Sequence, residues 1–77
     1  MKKVKIFSKK HCPFCDQALA LAQREGHEVE KLMLDIDFTL TDLAKLFPWA
    51  RSFPQIQVDG DYIGGFDEFK LWVNSNK

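Results

Sequence analysis

Seventy-seven residues are expected to form one domain, spanning 1–77, with so little room for a core that each large apolar side chain counts. Seven Phe and two Trp suggest a core built from a few big aromatics. Eleven basic against eleven acidic residues argue against nucleic acid or an anionic membrane as the main partner, and the longest apolar run is far too short to span a bilayer.

The chain opens on Met1-Lys2-Lys3, but Val4-Lys5-Ile6-Phe7 is not the uninterrupted apolar stretch of a signal peptide. A reducing cytoplasm is the expected compartment. The two cysteines there point to catalysis or metal binding rather than a structural staple.

Lys3 to Phe7 alternates apolar with polar and predicts a strand. Pro13 then takes the first position of a helix, where its missing N–H costs nothing. Cys15, Ala18, Leu19 and Ala22 share one face of that helix, and Gly26 ends it. Leu32, Leu34 and Ile36 alternate in a second strand over Glu28–Asp35. Thr39 and Asp42 form a capping-box-like pair, with Phe38 and Leu43 as its hydrophobic staple. Leu40, Leu43, Ala44 and Phe47 give the second helix its buried face, and Pro48 stops it. Gln55 to Gly64 predicts a hairpin around Asp59-Gly60, a pair that accepts the positive φ of a two-residue turn. Asp67 is the expected cap of a third helix, with Phe66 and Leu71 as its staple and Phe69, Trp72 and Val73 as its apolar face. The order strand–helix–strand–helix–hairpin–helix gives a parallel, right-handed first unit. The expected fold is therefore an α/β sandwich on a four-stranded mixed sheet.

Cys12-Pro13-Phe14-Cys15 carries the chemistry. It holds the only two cysteines, two residues apart, at a helix start after a strand. A thiolate at that position faces free backbone N–H groups and the positive end of the helix dipole, which favour the charged sulfur and lower its pKa. The thiolate is the species that attacks a disulfide. Cys12 lies before the first turn and is the expected nucleophile. Cys15 lies one turn inside, on the buried face, and is the expected resolving thiol. Lys9 and Lys10 stand upstream, where their charge can favour the thiolate. Zinc would need two more ligands, and neither His11 nor His27 has ligand spacing to the pair. An iron–sulfur cluster shared between two chains stays open. His11 is read as facing solvent, and His27 as a surface residue. Trp49 is read as lying over the core beneath a loop, the alternative being a partner contact on the active-site rim.

Two further segments stand out. At Phe53-Pro54, a cis proline would turn the backbone of Phe53 outward to pair with a bound peptide thiol, and a plain turn is the equal alternative. Gly64-Gly65-Phe66-Asp67-Glu68 allows close backbone approach before a helix start that can receive a carboxylate, but a tight turn with an ordinary cap is the plainer reading.

Taken in order, these sites resemble the glutaredoxin family. The resemblance covers essentially the whole chain: Lys9-x-x-Cys12-Pro13-Phe14-Cys15, Leu34-Asp35-Ile36-Asp37, Arg51-Ser52-Phe53-Pro54-Gln55-Ile56, Val58-Asp59-Gly60, Ile63-Gly64-Gly65 and a C-terminal Phe-x-x-Trp helix. It looks most like the dithiol bacterial and phage members. The resemblance implies a thioredoxin fold (βαβαββα), a cis peptide before Pro54, and a monomer that uses glutathione as reductant without a metal. It implies that Lys9 and Arg51 hold the glycine carboxylate of glutathione and that Phe53, in Ser52-Phe53-Pro54, pairs with its cysteinyl unit. The N–H groups after Gly65, at Phe66 and Asp67, and the acids Asp67 and Glu68 would receive its γ-glutamyl end. Client proteins with disulfides, ribonucleotide reductase among them, are the implied partners. A disulfide reductase coupled to thioredoxin reductase is the alternative, and an iron–sulfur carrier a more distant one. Three departures stand out: Phe53 replaces a smaller Val, Phe14 a common Tyr, and Asp67-Glu68 pairs two acids.

Overall fold

The computed structural model describes residues 2–76; Met1 and Lys77, the ends of the expected domain, lie outside the described residues. The elements are β1 (Lys3–Ser8), α1 (Pro13–Arg24), β2 (Glu28–Met33), α2 (Leu40–Leu46), β3 (Gln55–Val58), β4 (Asp61–Gly64) and α3 (Phe66–Ser75). They build a four-stranded sheet in the order β2-β1-β3-β4. β1 and β2 run parallel, β3 is antiparallel to β1, and β4 is antiparallel to β3. This is the mixed sheet with three helices that the sequence predicts.

The alternation of β1 divides the core in two. Val4 and Ile6 face one side, where they are buried with Ile56 and Val58 of β3, Ala18 and Ala22 of α1, and Phe69 and Val73 of α3. Phe7 faces the other side and meets Phe38, Leu43 and Phe47 around α2. The rings of Phe38 and Phe47 stand edge-on to Phe7, with centroids 5.2 and 5.5 Å away. Each fully buried side chain of this size contributes about 1.5–3 kcal/mol, so a handful of aromatics suffices for so short a chain.

Local signals behave as expected at most joints. Gly26 adopts φ +79° just past α1, and Asp59 and Gly60 adopt φ +51° and +87° in the hairpin turn. The capping box at α2 is complete: Asp42 N–H donates to Thr39 Oγ1 (3.1 Å) and Thr39 N–H to Asp42 Oδ2 (3.0 Å).

Six expectations are corrected. The second strand stops at Met33 rather than Asp35, because Asp35 turns to φ +66° and leaves Ile36 exposed. On α2 only Leu43 is buried; Leu40 and Ala44 face solvent, since seven residues offer too narrow a face for more. The cap of α3 is Gly65, not Asp67, and Leu71 is exposed, so no staple joins it to Phe66. His27 is half-buried: its Nδ1 accepts from Lys2 N–H (3.2 Å) and its ring lies 5.5 Å from that of Trp72. Trp49 reaches the core only at its edge: its ring lies 6.1 Å from that of buried Phe47 and edge-on to Tyr62, and it stays 57% exposed.

Candidate active site

Cys12 is the N-cap of α1, with extended backbone (φ −122°, ψ 92°), and Pro13 follows at the first helical position. The Cys15 N–H donates both to the Cys12 carbonyl (3.1 Å) and to Cys12 Sγ (3.2 Å). Cys12 therefore stands where serine or aspartate caps other helices, with its sulfur as the acceptor. The two sulfurs are joined in a disulfide. Cys15 is completely buried and Cys12 retains a sliver of surface, the asymmetry that its place on the α1 face predicts. His11, just before Cys12, turns the chain into the helix with φ +55° and is exposed.

The peptide bond between Phe53 and Pro54 is cis. Pro54 is buried, and Phe53 is half-buried with its ring 6.2 Å from Phe38. The bulk that replaces a smaller residue is thus partly absorbed by the α2-side core. Lys9 Nζ sits 5.8 Å from the centroid of the same ring, a cation–π distance. Lys9 so reaches the loop that carries the cis proline.

Gly65 packs against that loop. A Cβ added there would lie 3.5 Å from the Pro54 carbonyl oxygen and 3.3 Å from Glu68 Oε1. Glu68 is already engaged, because its Oε1 accepts the Gly65 N–H (2.8 Å). Asp67 is the freer acid; its side chain is 82% exposed and lies 3.5 Å from Lys70 Nζ. The Phe66 ring rests between Phe14 (5.8 Å) and Lys70 Nζ (4.9 Å).

These contacts gather three distant stretches of sequence. A groove of about 280 Å³ is lined by Phe14, by Ser52, Phe53 and Pro54, and by Gly65, Phe66, Asp67 and Glu68. A second groove of about 360 Å³ holds Lys9 and Lys10 with Leu34, Asp35 and Ile36. A larger groove, about 430 Å³, lies between α1 and α3. None of these grooves has a cysteine in its lining, but the smallest is walled by Phe14, the residue between Pro13 and Cys15, and by the cis-proline loop, and it adjoins the disulfide through them. Arg51 is exposed, and no contact among the described residues draws it toward that groove. No three His, Cys, Asp or Glu side chains gather to hold a metal ion among the described residues.

The glutaredoxin family model matches residues 4–63. That is most of the chain, and it spans both the cysteine pair and the cis proline. The chain belongs to the glutaredoxin family. A probable glutaredoxin of Synechocystis is 39% identical over 67 residues, covering 86% of this chain and 76% of that one. The oxidized glutaredoxin of Escherichia coli superposes with a TM-score of 0.81 at 28% identity, over 96% of this chain and 95% of the other. A buckwheat glutaredoxin in complex with glutathione shares the fold at a TM-score of 0.81 and 22% identity, over 99% of this chain and 72% of the other. The protein is thus a thiol–disulfide oxidoreductase of the thioredoxin fold, with Cys12 and Cys15 as its redox pair.

Family membership sharpens what the sequence missed. Nothing in the motif pointed to Glu68 as the partner of Gly65, although a glutamate three residues into a helix is the usual capping-box acid. The hydrogen bonds of Gln55 were also missed. A glutamine inside an otherwise apolar strand was the signal, since a buried amide has to find partners.

Proposed function

We propose that the protein reduces protein disulfides and glutathione mixed disulfides at the expense of glutathione, in a reducing cytoplasm, as a monomer. The observation that carries this reading is the groove beside Phe14, where the cis-proline loop and the N-terminus of α3 meet the CPFC helix. In and beside it stand the parts a cysteinyl tripeptide needs: the backbone of Phe53, unpaired among the described residues, the Lys9 ammonium at the Phe53 ring on the edge of the groove, the N–H groups at the start of α3 and an acid at Asp67 for an ammonium. A protein of the same fold, the buckwheat glutaredoxin, is seen in complex with glutathione.

The cycle starts from the reduced pair. The Cys12 thiolate, favoured by the Cys15 N–H, attacks the glutathione sulfur of a mixed disulfide. The Cys12–glutathione disulfide forms, and the client leaves as a thiolate that takes a proton. A second glutathione thiolate then attacks the glutathione sulfur held on Cys12, releasing oxidised glutathione and restoring Cys12. With a protein disulfide, Cys12 forms a mixed disulfide with the client. Cys15 attacks Cys12, frees the second client thiol and leaves the Cys12–Cys15 disulfide, which two glutathione thiols reduce. Ribonucleotide reductase is one client of the kind the reading allows.

The test is glutathione-dependent reduction of hydroxyethyl disulfide, coupled to NADPH through glutathione reductase. Robust turnover is expected. A fully reduced protein that does not turn over would set glutathione aside. Reduction by thioredoxin reductase would then be the route to measure.

A further inference from the structure

We infer that Gln55 and Tyr62 are positioning residues for the redox reaction, holding the Ser52–Phe53–Pro54 loop in the geometry that receives a cysteinyl substrate. Gln55 is the first residue of β3 and only 3% exposed, yet its side chain is an amide. Its Nε2 donates to the Ser52 carbonyl (2.7 Å), and its Oε1 accepts from Tyr62 Oη (2.7 Å). The Ser52 carbonyl can only accept, so the amide must turn its nitrogen to the loop and its oxygen to Tyr62. The tyrosine hydroxyl must then donate. The Ser52 carbonyl thus fixes which way the amide points, and Tyr62 satisfies the oxygen that this leaves buried.

The sheet explains how the two meet. Tyr62 stands opposite Gln57, so it shares a face with Gln55 one diagonal away. Tyr62 is itself held from the α2 side. Its ring lies 4.8 Å from that of Phe47 and 5.2 Å from that of Trp49, which flank the start of the 47–54 loop. The loop is therefore tied at both ends to one side chain of β4: by ring contacts at Phe47 and Trp49, and through the Gln55 amide at Ser52. The residue after Ser52 is Phe53, whose backbone is free of hydrogen bonds among the described residues. Loosening Ser52 displaces the groups that a substrate backbone would pair with. It leaves the Cys12 sulfur and the Cys15 N–H untouched.

The inference rests on Phe53 as the backbone partner of the substrate. The experiment compares wild type with Tyr62→Phe, which removes one oxygen and keeps the ring against Phe47 and Trp49. Two substrates are used, a glutathionylated peptide with glutathione as reductant and insulin with dithiothreitol as reductant, because both present a cysteinyl backbone but only the first assay needs a glutathione site. KM for both is expected to rise about three- to tenfold in Tyr62→Phe, with a smaller change in kcat, as for loss of one neutral hydrogen bond. Gln55→Met, of similar volume and without donor or acceptor, should raise KM at least as far. In the double variant the two effects should not add.

A purely structural role would lower the melting temperature and leave KM unchanged; unchanged KM on both substrates overturns the inference. Wild type inactive with the glutathionylated peptide, but with a Tyr62-dependent KM for insulin, would remove the glutathione reading and keep the positioning role. Wild type inactive on both would overturn the two together.

Discussion

Glu68 Oε1 accepts the N–H of Gly65 at 2.8 Å, which makes the second acid of the Asp67-Glu68 pair a helix cap. The two carboxylates, alike in sequence, therefore do different things. Glu68 satisfies one of the donors that α3 leaves free, and Asp67 faces the groove. Glu68→Ala is expected to cost about 1 kcal/mol, a drop of about 4–8 °C in melting temperature for a domain of this size. Asp67→Asn should leave stability within about 0.5 kcal/mol and raise KM for glutathione substrates more than Glu68→Gln does. Thermal melts beside steady-state kinetics separate the two roles, and equal kinetic effects would contradict the division.

Gly64 is set by the same carboxylate. It adopts φ +131°, and a Cβ there would lie 2.8 Å from both Cβ and Cγ of Glu68. Gly64→Ala should destabilise by more than about 1 kcal/mol, because backbone strain and the displaced cap act together. Gly60→Ala is the control: its φ is also positive, but nothing lies within 4 Å of the added carbon. A chemical-denaturation midpoint for each should place Gly64→Ala lower.

Much of this architecture is legible in the sequence, and the exceptions share a cause. Val4 and Ile6 alternate with the more exposed Lys3 and Lys5 because the first half of β1 is covered on one face only, and the alternation gives way to a buried run at Ile6-Phe7-Ser8, where α2 covers the other face. The Asp59-Gly60 turn and the Thr39–Asp42 box are local, so their residues alone specify them. Leu71 and Ile36 mislead because pattern reading assumes that a large apolar side chain is buried; α3 turns Phe69 and Val73, flanked by Phe66 and Trp72, to the core and Leu71 to solvent, and Asp35 turns Ile36 outward. The cysteine pair was plain from spacing. The engagement of Glu68 and the link from Tyr62 to Ser52 were not, because each depends on how a loop closes in three dimensions.

The two sides of α3 give a direct test of that packing. Phe69 is fully buried, whereas Leu71 is 67% exposed. Phe69→Ala should cost about 3–5 kcal/mol, a large part of the stability of a small domain, and Leu71→Ala about 0.5 kcal/mol or less. Urea unfolding followed by circular dichroism reads both.

Asp59 ties the hairpin turn back to the N-terminal end of β1. Its Oδ1 accepts the Lys3 N–H (2.9 Å), and Lys2 Nζ lies 3.6 Å from its other oxygen. The Lys3 hydrogen bond, helped by the Lys2 charge, holds its pKa below the ordinary value of 3.8. The carboxylate is thus favoured in the folded state. Its contribution is fully present above pH 3.8 and is lost as the pH falls through the lower folded value. Asp59→Asn keeps an acceptor and tolerates the positive φ, but cannot titrate. Between pH 6 and pH 2.5, wild type should lose more of its urea midpoint than Asp59→Asn; parallel losses would remove Asp59 from the acid response.

The central assignment is Cys12 as nucleophile and Cys15 as resolving thiol, and single-serine variants test it most directly. Each is assayed on a glutathionylated peptide and on insulin, with glutathione and glutathione reductase. Cys12→Ser should lose both activities to background. Cys15→Ser should keep the first, because a second glutathione can release the Cys12 mixed disulfide, and should lose most of the second. Full activity in Cys12→Ser, or loss of both activities in Cys15→Ser alone, would contradict the assignment.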